Sequence, residues 1–275
     1  MRSVVLELPG RIRGDIVMIR IPWSREETLA AFNLYCRTPF GRLHARNPEI
    51  IQLAGILGRT ANAVAMKCCN LAAFDPALHS RGIKGLSKAS RLDREIWESF
   101  ERDPEQTGFQ SETVCANLMD RPLQQAETVE WDDIQGLDRE TTTKVRVNQH
   151  LFRSIILTSY REECAICGLP VLGLLVACHI VPWALDPNNR MNPRNGICMC
   201  SLHDRAYETG ILIIDERFVI SVGDKAQCYR SNDAFTRYIS AFEGNAIKLP
   251  ERWLPDPLLL QKRCALVTSV ASIYR

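Results

Sequence analysis

Two cysteine-containing pairs of like spacing, Cys164-x-x-Cys167 and Cys200-x-x-His203, bracket a stretch that also contains His179, Asn195 and Asp204. Thiolates and an imidazole set in two close pairs are the usual donors of a closed tetrahedral zinc site. An imidazole can take a proton near neutral pH, and a carboxylate is a hard ligand suited to Mg2+ or Mn2+. Each residue alone has a plainer explanation. Cysteines are often ordinary core residues, a histidine after an apolar run is commonly a satisfied core group, Asn195 suits a turn, and Asp204 suits a helix start. The combination carries the information.

The elements that must position these groups are short. Val171 to Cys178 is an apolar run that ends just before His179 and Pro182, too brief for an ordinary helix and therefore read as a strand. Asp186 to Asn195 is rich in Asn and Pro and reads as a loop, and Gly196 to Cys200 returns as a second strand. A helix follows, with Ser201 as its expected N-cap, Asp204 in its first turn and Gly210 at its end. The expected order is strand, loop, strand, helix.

His179-Ile-Val-Pro, then Asn195-Gly-Ile, then Cys200-Ser-Leu-His-Asp204 at a helix start, together with the approach Arg146 to Arg153 and Tyr160, resemble an HNH nuclease of restriction type. The resemblance covers residues 143–225 and implies a ββα-metal fold. It assigns activation of the attacking water to His179, bracing of the loop to Asn195, and divalent-metal binding to His203 and Asp204. One position departs from the family. Many HNH sites place an Asp directly before the first His, and this chain has Cys178, a soft group poorly matched to Mg2+. Two ligand sets therefore stay open. His203 joins Asp204 on the catalytic ion, or it completes a structural zinc site with Cys164, Cys167 and Cys200, leaving Glu208 or water beside Asp204.

Upstream, Ser24 and Glu27 form a capping box for a helix carrying Leu29, Phe32, Leu34 and Tyr35. Helices over 48–57 and from Ala61 to Phe74 flank a Gly58-Arg59-Thr60 turn, an outline similar to Myb-like helix-turn-helix modules. Such a module would set Asn62, Lys67 and Asn70 toward the major groove and Arg46 and Arg59 toward phosphates. A helix spans 92–101. Residues 1–21 suggest a hairpin, and Arg81 to Arg91, with Lys84 and Lys88, a basic strip.

The chain has 275 residues and a net charge of +2, which conceals a gradient. Residues 1–90 carry thirteen basic against six acidic groups, and 91–140 five against fourteen. That balance suits two polyanion-facing modules around an acidic connector. Eleven cysteines point to thiols in a reducing cytoplasm, and no apolar run approaches the length of a membrane span.

The expectation is an α+β protein with a mainly helical, helix-turn-helix-like domain over 1–101, an acidic connector over 102–140 and an HNH domain over 141–275. Its expected work is Mg2+- or Mn2+-dependent restriction cleavage of double-stranded DNA by a homodimer. Two other readings compete with it: a non-catalytic, zinc-stabilised DNA-binding regulator, for which Cys178 is the best argument, and a nuclease directed to RNA or branched DNA.

Overall fold

A computed structural model describes residues 21–82, 89–125 and 139–273. The expected hairpin at the amino terminus and most of the basic strip, Lys84 and Lys88 included, lie outside the described residues. The chain divides into two compact units, Met1–Leu123 and Gln124–Arg275.

The first unit is helical. Ser24 caps α1 (Arg25–Arg37) through the reciprocal bonds of a capping box with Glu27. Helix α2 (Pro48–Leu57) ends on Gly58, whose φ of 58° places it in the left-handed region that glycine adopts without a Cβ penalty. Thr60 then caps α3 (Ala61–Ala72), and a short α4 (Pro76–Ser80) and α5 (Arg91–Arg102) follow. Phe32, Tyr35, Phe74 and Trp97 form an aromatic cluster between these helices.

The stretch expected to begin the connector is instead α6 (Pro104–Met119), capped by Asp103 and packed on α1 inside this unit. Its buried Glu112 accepts a bond from the Asn33 amide at 2.8 Å and pairs with Arg37. Sequence composition counted its acidic residues as a solvated linker. One of them is held in the interior by partners contributed by α1.

Two basic residues expected to meet DNA are also structural. Arg59 is 7% exposed, forks onto both Glu27 carboxylate oxygens at 3.1 and 2.7 Å, and lies over the Trp23 ring. Lys67 is 4% exposed, bonds Asp93 at 2.5 Å and also lies over that indole. Both side chains are engaged inside the unit by carboxylates, where the sequence reading had set them toward DNA. Removing one partner of such a pair strands the other charge, at a cost of about 3–5 kcal/mol. Lys67→Ala is accordingly expected to lower the denaturant midpoint of the first unit strongly; a change below about 1 kcal/mol in chemical denaturation would show that the pair contributes little. Arg46 and Asn62 are exposed, and Asn70 is half-buried.

The second unit begins with α7 (Arg139–Ser159), whose apolar positions Val147, Leu151, Phe152, Ile155 and Ile156 are buried. A 3-10 turn at 172–174 replaces the first part of the expected strand, so β1 is only Leu175–His179. It pairs antiparallel with β2 (Gly196–Cys200), His179 opposite Gly196 and Cys178 opposite Ile197. Helix α8 (Ser201–Glu208) starts at once. Its N-cap is Cys200, while the Ser201 hydroxyl donates to the Leu174 carbonyl and ties the helix start to the turn before β1. A second hairpin, β3 (Leu212–Ile214) and β4 (Ile220–Val222), then α9 (Asp233–Tyr238) and α10 (Pro257–Ile273) complete the unit. The fold is α+β, and no helix among the described residues is long and apolar enough to cross a membrane.

Candidate metal centre and active site

Cys164, Cys167, Cys200 and His203 meet at one point, their ligand atoms all within 4.8 Å of one another. His203 Nδ1 lies 3.2 Å from Cys200 Sγ and 3.5 Å from Cys164 Sγ, and Cys167 Sγ is 4.0 Å from Cys200 Sγ. Bonds of about 2.0–2.3 Å to a tetrahedral zinc set ligand separations of about 3.5–3.8 Å, so the donor set fits the ion in type and spacing. The local sequence explains the geometry. Gly168, at φ 75°, turns the chain back so that its amide bonds the Cys164 carbonyl, and the Ala165 amide bonds Cys198 of β2. The second pair comes from the junction of β2 and α8.

His203 Nε2 is 3.0 Å from the Tyr238 carbonyl, which only accepts, so the proton sits on Nε2 and the Nδ1 lone pair faces the sulfurs. Both ring nitrogens are thus engaged. Of the two ligand sets left open, the geometry brings His203 together with the cysteines rather than with Asp204. Burial raises the Cys164 thiol, but bonds from His203 and from the Cys167, Cys200 and Ile166 amides outweigh it and bring its pKa down to about 6. Burial, reinforced by the neighbouring Cys164 charge, pushes Cys167 up to about 12. A cation is what would let the three sulfurs ionise together.

His179 ends β1 on a different environment. Its ring stacks on Phe152 with centroids 4.2 Å apart and planes 5° from parallel, and the Trp183 ring meets it edge-on at 5.7 Å. Its Nε2 is 3.0 Å from the Arg190 carbonyl, which again assigns the proton to Nε2 and leaves Nδ1 as the acceptor. Desolvation in this apolar slot lowers the His179 pKa from the usual histidine value, opposed by the Arg190 carbonyl.

Asn195, 1% exposed, holds the loop after His179 with its whole amide. Its Oδ1 accepts from the Val181 amide at 2.9 Å, and its Nδ2 donates to the Val181 and Asn189 carbonyls at 3.1 Å each. Asp204 lies against the Cys178 thiol, and its charge, behind the larger effect of burial, raises that thiol's pKa. The acid on the helix thus reaches position 178, one residue along β1 from His179.

Among the described residues the cysteine–histidine cluster is the one group of three or more donors close enough to hold an ion.

Phe152, Trp183 and Arg190 escaped sequence reasoning. Aromatic residues within an apolar helix or loop give no sign that they will meet an imidazole, and Arg190 acts here through its carbonyl. Gly196 was legible only as the start of a strand. A Cβ on it would come within 2.4 Å of Ile156 Cδ1 and 2.8 Å of Phe152 Cζ. Its bareness lets α7 sit directly on the hairpin. Gly196→Ala is expected to cost about 1–3 kcal/mol by overpacking and to push Phe152 away from the imidazole. An unchanged melting temperature would count against so tight a contact.

Residues 164–215, from the first cysteine pair through β3, match the family model described as HNH endonuclease. No curated protein is a significant match to the chain. The second unit carries an HNH endonuclease segment with a candidate metal site, and DNA is the substrate class that this implies.

Proposed function

We propose that the chain is a metal-dependent DNA endonuclease of restriction type, cutting with its second unit and selecting sites with its first. The observation that carries this reading is the state of His179. A neutral imidazole, protonated on Nε2 by its bond to Arg190, keeps its Nδ1 lone pair as an acceptor beside a loop braced by Asn195. That lone pair accepts the proton of the attacking water. Asp204 would hold a divalent ion, Mg2+ or Mn2+, whose charge would offset that developing at the phosphate. Glu208 or water would supply the remaining ligands. The cysteine–histidine cluster would hold a structural zinc, which would fasten the Cys164–Gly168 turn to the start of α8.

In the first unit, Arg46, Asn62 and Asn70 are the residues available for DNA among those named from sequence. Cutting both strands calls for two sites, and a homodimer supplies them.

Incubation of supercoiled plasmid with the purified protein, with and without Mg2+ or Mn2+, tests the reading. Metal-dependent conversion to nicked and linear forms is expected. Cys178, standing where many relatives of this motif carry Asp, favours the rival view of a non-catalytic DNA-binding scaffold. Wild-type protein that binds the plasmid yet leaves it intact with every divalent ion would decide for that scaffold.

A further inference from the structure

We propose that Arg190 is the residue that grips the phosphate attacked at His179, a role that rests on the reading of His179 as the base. Arg190 meets the site twice. Its carbonyl holds His179 Nε2, and its guanidinium lies over the Trp183 ring at 5.0 Å, the same indole whose ring meets the imidazole. Its Nε donates to the Trp183 carbonyl at 3.2 Å, which fixes the side chain without using either terminal nitrogen. No carboxylate among the described residues pairs with it; the nearest loop acid, Asp186, is engaged by Lys262 at 2.7 Å. A half-buried guanidinium, stacked and oriented but with its fork open, is built for two parallel bonds to an anion's oxygens. Because the imidazole meets the Trp183 ring and bonds the Arg190 carbonyl, while the Arg190 guanidinium lies over that same ring, an anion held by the fork would lie near the imidazole. A phosphodiester is the anion that this chemistry takes.

The rival explanation is that Arg190 only staples the loop. Arg190→Gln separates the two, since it keeps the backbone carbonyl and an amide able to donate to Trp183 while removing the charge. DNA binding would be measured without added divalent ions over a range of salt, alongside plasmid cleavage, melting temperature and the pH dependence of the rate. The expected result is a slope of log affinity against log salt smaller by about 1, as for one lost phosphate contact. Cleavage should fall about 10²-fold, with melting temperature and acid limb unchanged. Arg190→Lys should keep the slope and lose part of the rate, because a point charge replaces a fork.

An unchanged slope and rate in Arg190→Gln, with wild type active, overturns the proposal and leaves the nuclease reading in place. Loss of rate accompanied by a lower melting temperature and a displaced acid limb assigns the residue to loop structure and also overturns it. Wild type that neither binds nor cuts DNA removes the nuclease reading, and the proposal with it.

Discussion

His179→Ala is expected to reduce metal-dependent plasmid cleavage by about 10²–10⁴-fold, the usual contribution of a positioned base, while the protein still folds and binds DNA. The size follows from the site. Nothing else among the groups around the imidazole, the Phe152 and Trp183 rings and the Arg190 carbonyl, can accept a proton from water. The same residue sets the pH dependence. Its burial disfavours the imidazolium, so its pKa in the folded protein lies below the ordinary value of about 6.5. The base is active when neutral. The rate should therefore be level through pH 7 and fall only as pH drops below that ordinary value. Stability shifts in the same direction: the contribution of neutral His179 is present above about pH 6.5 and is lost as pH falls through the lowered folded value. A rate profile from pH 5 to 8 checks both statements. An acid limb above 6.5, or a His179→Ala protein that cuts like wild type, would remove His179 from the chemistry.

Loss of zinc should have the other large effect. Cys164 and Cys167 precede β1, and Cys200 and His203 join β2 to α8, so one ion would tie together segments that the short hairpin holds only loosely. Structural zinc is worth about 10–16 kcal/mol of apparent binding free energy in small zinc-finger peptides. The second unit has α7 and α10 as further support, so a smaller but still large loss is expected from Cys200→Ser or from a strong chelator. In a domain of this size each kcal/mol moves the melting temperature by about 2–4 °C. The calorimetric transition of the second unit should drop well below that of the first, which the substitution does not touch. Elemental analysis should find one zinc per chain in wild type and none in the variant. Metal-free wild type melting at the same temperature as the metal-loaded protein would refute the structural ion.

Much of the site was legible because its information is local. The Cys164/Cys167 and Cys200/His203 spacings fix which donors lie within reach of each other. Asn195-Gly-Ile and the apolar run into His179 announce a hairpin, and the α+β class follows from the helical patterning of the first third and the short strands beyond it. The capping box of α1 and the Thr60 cap of α3 are each likewise contained in four consecutive residues.

Other features depend on residues distant in sequence. Lys67 and Arg59 look like DNA-facing cations until α5 brings Asp93 and α1 brings Glu27, which turn both into internal pairs. The acidic run after Arg102 reads as a linker because composition carries no trace of the α1 groups that receive Glu112. His203 illustrates the limit most directly. The chain places it within a turn of both Cys200 and Asp204, three residues on one side and one on the other.

Residue order thus determined which ligand types would gather between Cys164 and Gly210. Only the tertiary structure decided how they are divided. The Tyr238 carbonyl, thirty-five residues away, holds one ring nitrogen of His203 and turns the other to the cysteines, while Asp204 is left beside Cys178 and His179 is closed in by Phe152. A short motif fixes separation along the chain, whereas the direction of an imidazole is set by whatever donor or acceptor the folded chain brings to its far side.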